Sequence, residues 1–259
     1  MALNISTKLS TEPVFFQPLI EDIREGRIKI PKFQRPYVWK DEQAIKLLDS
    51  ILRSYPIGSL LIWRTSTKLK TERTFGEFQL PDTPEMLPTD YVLDGQQRLT
   101  VIYSCLGAAP GDAGFDAVFD LVSQEFKRAD IVTPALAIFP LRKLLRTTEL
   151  LNFRTALQAH VNHTELQSRL DGLVAAFTQY KLPVVYLKDL EIAEVCPIFE
   201  RINSSGTKLS TYDLMVAATW SKNFDLDDSI SSIAAALTPK GFEDIDRITV
   251  VKCMSALHS

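Results

Sequence analysis

YVLDGQQRLTVIYSCL, residues 91–106, is the stretch on which the reading of this chain turns. Tyr91, Val92 and Leu93 form a short apolar, β-prone run that predicts a strand. Asp94-Gly95 breaks that run, and the spacing that follows predicts a helix over 99–106, stopped by Gly107. A helix that opens within a few residues of a strand end presents N–H groups lacking intrahelical partners, with roughly +0.5 charge from the macrodipole. An anion is the natural guest of such a turn. Gly95 lets a backbone approach a phosphate closely, and Arg98 can offer its planar guanidinium to phosphate oxygens. Asp94 can hold a divalent metal or cap the helix, while Gln96 and Gln97 add neutral donors and acceptors. A plain Asp-Gly turn with a surface arginine is the competing reading, and these residues alone leave the choice open.

Working upstream, IPKFQRPYVW at 30–39 interleaves Lys32, Gln34 and Arg35 with Phe33, Tyr37 and Trp39. Pro31 and Pro36 keep it extended. Cations between aromatics suit phosphate contact and base stacking, although aromatics sealing a core would look the same. Before it, 18–25 predicts a short helix ended by Gly26, and 27–30 a strand. After it, Asp41 is the expected N-cap of a helix reaching about residue 55, and 60–63 reads as a buried strand. Residues 71–79 and 115–122 predict further strands. Residues 1–13 are polar without periodicity and are expected to be a flexible arm.

Downstream, the pattern turns helical over 140–180, returns to a strand at 183–187, and predicts a helix over 191–202 with Pro197 inside it. FERINSSGTKLSTYDL at 199–214 then places Asn203 and Lys208 in a small, polar loop ahead of a helix over 210–222. Residues 226–258 predict amphipathic helices, broken at Pro239-Lys240-Gly241, that can pack within the chain or pair with a second copy. The expected organisation is therefore an arm (1–13), a mixed core (14–140) and a mainly helical part (141–259) that returns the 183–187 strand and the 199–214 loop to that core.

Composition sets limits on function. The chain has 259 residues, of which 46% are hydrophobic and 24% charged, and 29 Lys and Arg stand against 32 Asp and Glu. A net charge of −3 excludes attachment to nucleic acid by bulk positive charge, but not by a local groove around Arg24, Arg27, Lys29, Lys32 and Arg35. Cys105, Cys196 and Cys253 sit apart in apolar surroundings, as expected of reduced thiols in a cytoplasmic protein. His160, His163 and His258 form no zinc spacing with them. No stretch approaches the ~18 apolar residues of a membrane span, and residues 1–16 do not read as a signal peptide. No GxxxxGK[ST] occurs, which disfavours a P-loop kinase or ATPase.

Taken in order, IPKFQRPYVW, LLDSILRSYPIGSLLIW, VLDGQQRLT and FERINSSGTKLSTYDL resemble the N-terminal domain family of GmrSD-type, modification-dependent (type IV) restriction proteins, over about residues 14–220. The resemblance implies an α+β fold, a ParB/sulfiredoxin-like mixed-sheet core followed by a mainly helical part. It implies a nucleoside triphosphate with Mg²⁺ at the matching positions Asp94, Gly95, Gln96, Gln97 and Arg98, with Gln34 and Arg35 approaching from the other side. Asn203 matches the ParB nucleotide motif in spacing, but Ile202 stands where that motif has glutamate, and Glu200 is the nearest carboxylate before it. Sulfiredoxin chemistry is set aside, because its turn needs a cysteine where Gln96 and Gln97 stand.

Two functions follow from the resemblance. In the first, the chain is an NTPase sensor of a prokaryotic defence system acting on foreign DNA, with Asp94 and Arg98 as catalytic residues and Asp94 as the metal ligand. In the second, it is a non-hydrolysing, ParB-like nucleotide- or DNA-binding module that regulates a partner nuclease. No histidine-metal nuclease motif is visible in this chain, so an HNH-type domain or partner would have to supply cleavage.

Overall fold

In the computed structural model the described residues are 8–31, 37–69, 71–72, 74–75, 78–79, 83, 86–109, 111–202, 216, 225–241, 246 and 249–250. The strands are β1 (Leu9–Phe15), β2 (Ile28–Pro31), β3 (Leu60–Thr65), β4 (Thr71–Glu72), β5 (Thr74–Phe75), β6 (Phe78–Gln79), β7 (Thr89–Asp94), β8 (Ala117–Asp120), β9 (Glu125–Arg128), β10 (Ile138–Pro140) and β11 (Lys181–Lys188). The helices are α1 (Phe16–Arg24), α2 (Asp41–Leu52), α3 (Gln96–Ile102), α4 (Thr147–Leu157), α5 (His163–Gln179), α6 (Ile192–Ile202) and α7 (Leu226–Leu237).

The main sheet runs β1-β11-β3-β7-β2-β4. It is mixed: β11 lies parallel to β3, β7 antiparallel to β3, and β2 parallel to β7. Strands β3 and β7 occupy its middle, and both of their faces are covered. This explains why LLIWRT and YVL show no alternation of polar and apolar residues. Leu60, Ile62 and Val92 enter the larger core with α1, α2 and α5, through Phe16, Ile23, Leu48, Ile51, Leu170 and Phe177. Leu61, Trp63, Tyr91 and Leu93 point to the opposite face, where Val195 and Phe199 of α6 cover them. Trp63 donates its indole N–H to the Leu190 carbonyl at 3.1 Å, which fixes the chain between β11 and α6.

A smaller sheet, β10-β8-β9, flanks this core. Its Phe126 ring packs on Phe119 and on Phe177 of α5, at centroid distances of 4.8 and 6.0 Å. Behind it, Arg142 is almost completely buried, which an arginine tolerates only when fully paired. Its guanidinium donates to the carbonyls of Ser104, Ala109, Asp112 and Ala113 at 2.8–3.2 Å, and lies 3.3 Å from Asp116. One side chain thereby ties the end of the helical stretch 96–107 to the loop that leads into β8. Burial pushes the Asp116 carboxyl above its ordinary range, against the pull of Arg142. Burial, and then the neighbouring Asp116, push the Cys105 thiol far up, so it stays protonated and unreactive.

The mixed α+β architecture agrees with the sequence reading, and the 183–187 strand sits between β1 and β3 in the main sheet. Several local expectations are corrected. Residues 9–13 are not a loose arm: they form most of β1, paired antiparallel with β11 from Leu9 opposite Leu187 to Phe15 opposite Lys181. An edge strand is held by backbone hydrogen bonds and needs no apolar period, so LSTEP carries no periodic signal. Asp41 is the first helical residue of α2 and not its cap. Lys40 is the cap, and its N–H donates to the Gln43 Oε1 at 3.0 Å. The stretch 71–79 is divided among β4, β5 and β6, with β5 and β6 paired as a hairpin. The helix expected over 210–222 lies outside the described residues except at Val216, which is helical. Among the described residues, no helix is long and apolar enough to cross a membrane.

Replacing Arg142 by Leu is expected to lower stability by about 3–5 kcal/mol, the cost of leaving buried partners without their cation. Urea unfolding followed by far-UV circular dichroism measures it, and a change below 1 kcal/mol would show that the carbonyl cluster holds itself together.

Candidate functional site

Because β2 and β7 are parallel, with Ile28 opposite Asp90 and Lys29 opposite Tyr91, both strands end at the same edge of the sheet. Antiparallel β3 starts at that edge, with Leu61 opposite Asp94. Three segments therefore meet there: the turn after β7, the 55–59 loop before β3, and the chain leaving β2. Of that last segment, residues 32–36 lie outside the described set, including Gln34 and Arg35, as do Asn203 and Lys208.

The turn itself is left-handed. Gly95 has φ +91° and ψ 9°, and a Cβ there would lie 2.4 Å from Leu60 Cδ2. A side chain is excluded both by conformation and by space. Helix α3 begins immediately after, at Gln96, three residues before the apolar period announces it. It continues as a π-helical turn over Tyr103–Gly107.

Arg98 reaches back across this turn. Its Nη1 donates to the Ile57 carbonyl at 2.7 Å, and its Nη2 to Asp94 Oδ2 at 3.1 Å. The guanidinium thus links the strand end, the first turn of α3 and the 55–59 loop, with its side chain 16% exposed. A guanidinium carries five N–H groups, so two bonds leave capacity for a further acceptor. Gly58 makes this position possible: at φ +82°, a Cβ on it would lie 2.2 Å from Arg98 Nη1. Asp94 stays half-exposed at the mouth of the turn.

The two glutamines are buried and differ in role. Gln97 Oε1 accepts the N–H groups of Val38 and Trp39, at 2.8 and 3.2 Å, and so pins the segment after residue 36 onto α3. Gln96 is 8% exposed, and its Oε1 has no hydrogen-bond partner. Buried side-chain oxygens are normally satisfied, so this one has capacity for a donor.

Among the described residues, no three His, Cys, Asp or Glu side chains gather to hold a metal by themselves. Asp94 is a single carboxylate, which fits Mg²⁺ bound partly through phosphate oxygens and water. Of the basic groove expected near 24–35, Arg24 donates to the Gly107 carbonyl and Arg27 is paired with Asp22 at 2.6 Å and with Glu25. These two arginines are therefore engaged within the fold.

The structure thus brings Asp94, Gly95, Gln96, Gln97 and Arg98 together. Sequence reasoning missed Gly58 and the Ile57 carbonyl. Pro56-Ile57-Gly58 reads in the sequence only as a break between helix and strand, and nothing local says that an arginine forty residues later lies against it.

Residues 16–220 match the family described as the GmrSD restriction endonuclease N-terminal domain, and the chain belongs to that family. It is also similar to an uncharacterized protein of Methanocaldococcus jannaschii, 27% identical over 236 residues, a match that covers 77% of this chain and 40% of that protein. The chain therefore spans well under half the length of this relative.

Gly58→Ala forces the Arg98 guanidinium from its seat and strains a left-handed position. It is expected to cost about 1–3 kcal/mol in a thermal or urea unfolding experiment. A variant as stable as the parent would show that Arg98 has another equally good position.

Proposed function

We propose that this chain is a nucleoside-triphosphate-binding and hydrolysing module of a restriction system acting on foreign DNA, with the triphosphate seated at the Asp94–Arg98 turn. The supporting observation is the arrangement at the sheet edge. A left-handed glycine, the start of a helix and a partly exposed arginine with donors to spare all lie within five consecutive residues. Family membership supplies the restriction context.

In this reading the first-turn N–H groups of α3 and the Arg98 guanidinium hold the phosphate oxygens and stabilise charge as it moves during transfer to water. The bonds from Arg98 to Ile57 and Asp94 orient the fork before ligand arrives, which lowers the entropy lost on binding. Asp94, half-exposed beside it, is the residue that would hold Mg²⁺, which when bound neutralises phosphate charge. Gln34, Arg35, Asn203 and Lys208 are proposed as further nucleotide contacts. DNA is the expected second ligand, and a nuclease domain or partner chain the expected effector.

Phosphate release measured with ATP, GTP, CTP and UTP, with and without DNA, tests the proposal. Release by the parent chain, and loss of nucleotide affinity by about 1.5–3 kcal/mol in Arg98→Ala, are the expected results. Binding without release under every condition would make the chain a non-hydrolysing module. Unchanged affinity in Arg98→Ala would remove the turn as the site.

A further inference from the structure

A cavity of about 430 Å³ lies against the flank of α3, away from the residues that hold the turn. Its walls are Tyr37, Trp39, Phe78 and Phe115, with the hydroxyl-bearing Thr100 and Ser104 contributed by the helical stretch. The size is that of a small-molecule site, and four aromatic walls favour a flat ring over a sugar or an aliphatic chain. Ser104 already donates to the Phe115 carbonyl. Thr100 is different: it is 3% exposed, and its Oγ1 has no hydrogen-bond partner. A helical threonine ordinarily satisfies its hydroxyl on the carbonyl of the preceding turn. This one lies in the cavity wall without a partner.

Charge narrows the choice further. The cation on this cavity's rim, Arg128, is paired with Asp41 at 2.6 Å and with Asp130 at 2.8 Å. The interior is thus suited to a neutral, planar group with a hydrogen-bonding edge, not to a phosphate. The wall is also held in place. Gln97, from the adjacent turn of α3, clamps Val38 and Trp39 by their backbone N–H groups. Gln96, Thr100 and Ser104 are spaced four residues apart and share one stripe of the helical stretch, about 6 Å per step along its axis. That stripe begins with the unpartnered Gln96 oxygen next to Gly95 and runs to Thr100 in the cavity wall.

We propose that this cavity is the seat of a nucleobase, stacked on Trp39 and its aromatic neighbours and read along its edge by Thr100. Its direction rests on the triphosphate reading of the Asp94–Arg98 turn, which would hold the other end of the same nucleotide. The chemistry of the walls does not depend on that reading. A base can arrive on a free nucleotide or unstacked from single-stranded DNA, and the experiment separates the two.

The full chain is titrated with inorganic tripolyphosphate, the four nucleoside triphosphates, the four nucleosides and short single-stranded oligonucleotides. Tryptophan emission is followed, with Trp39→Phe as the control for signal. The expected result is that at least one nucleoside triphosphate binds 10-fold or more tightly than tripolyphosphate and quenches Trp39. Phe115→Ala, which removes one aromatic wall, should bring that nucleotide close to the affinity of tripolyphosphate and leave tripolyphosphate unchanged. Thr100→Val, which keeps the volume and should keep the fold, should cost about 10-fold for the preferred base alone. Quenching by oligonucleotides but not by free nucleotides, equally sensitive to Thr100→Val, assigns the seat to a DNA base. Equal affinity for tripolyphosphate and every triphosphate, with Trp39 silent, overturns the base seat while leaving the phosphate site standing. Base-dependent quenching by nucleosides that ignores Arg98→Ala, with no tripolyphosphate binding, does the reverse. If nothing quenches Trp39 at millimolar concentration, the proposal is overturned outright.

Discussion

The contact on which the edge of the sheet depends is that of Arg98 with the Ile57 carbonyl and the Asp94 carboxylate. It is a partly buried, charge-assisted pair of hydrogen bonds, stronger than their neutral counterparts. Both are possible because two residues lack a side chain. Gly95 allows the chain to turn left-handed against Leu60, and Gly58 leaves room for the guanidinium. Without the first, β7 could not pass into α3 within one residue. Without the second, the arginine could not cross to the loop before β3. The same contact that stabilises the turn also aims a cation at its mouth.

Around this edge the fold is built to be rigid. The middle strands are buried on both faces, and the helical stretch that leaves the turn is anchored at its far end by Arg142. At its near end Gln97 fastens Val38 and Trp39 by their backbone N–H groups, and Tyr37 and Trp39 pack against the core. The buried polar groups here fall into two sets. Those of Arg142 and Gln97 are satisfied within the protein, whereas Gln96 Oε1 and Thr100 Oγ1 are not. Gln96 and Thr100 share one stripe of one helical stretch, and a third such atom, Asp116 Oδ1, lies off it at 3.3 Å from the Arg142 guanidinium.

How much of this was legible in the residues varied with the length scale of the cause. The strand at 91–93 was readable because burial leaves an apolar run, and Gly95 because an Asp-Gly pair marks a break. The first turn of α3 was read three residues late, since Gln96, Gln97 and Arg98 carry no apolar period. β1 was invisible, because its partner β11 lies over 160 residues away and supplies the hydrogen bonds that define it. The cap of α2 was misplaced by one residue because Asp41 has the better side chain for a cap, although it is Lys40 whose backbone takes that position.

The sequence by itself determined the mixed architecture and the five residues that share the turn, for these follow from local pattern, and its motifs taken in order carried the resemblance to the family. What only the tertiary structure decided is which groups those residues meet: that Arg98 lies on the Ile57 carbonyl, that Gln97 holds Trp39, and that Thr100 lies in the wall of an aromatic cavity. The two hydrogen bonds join residues 41 and 58 apart. Hydrogen-bond partners at that separation depend on sheet order and helix placement, which the pattern of any one segment does not encode.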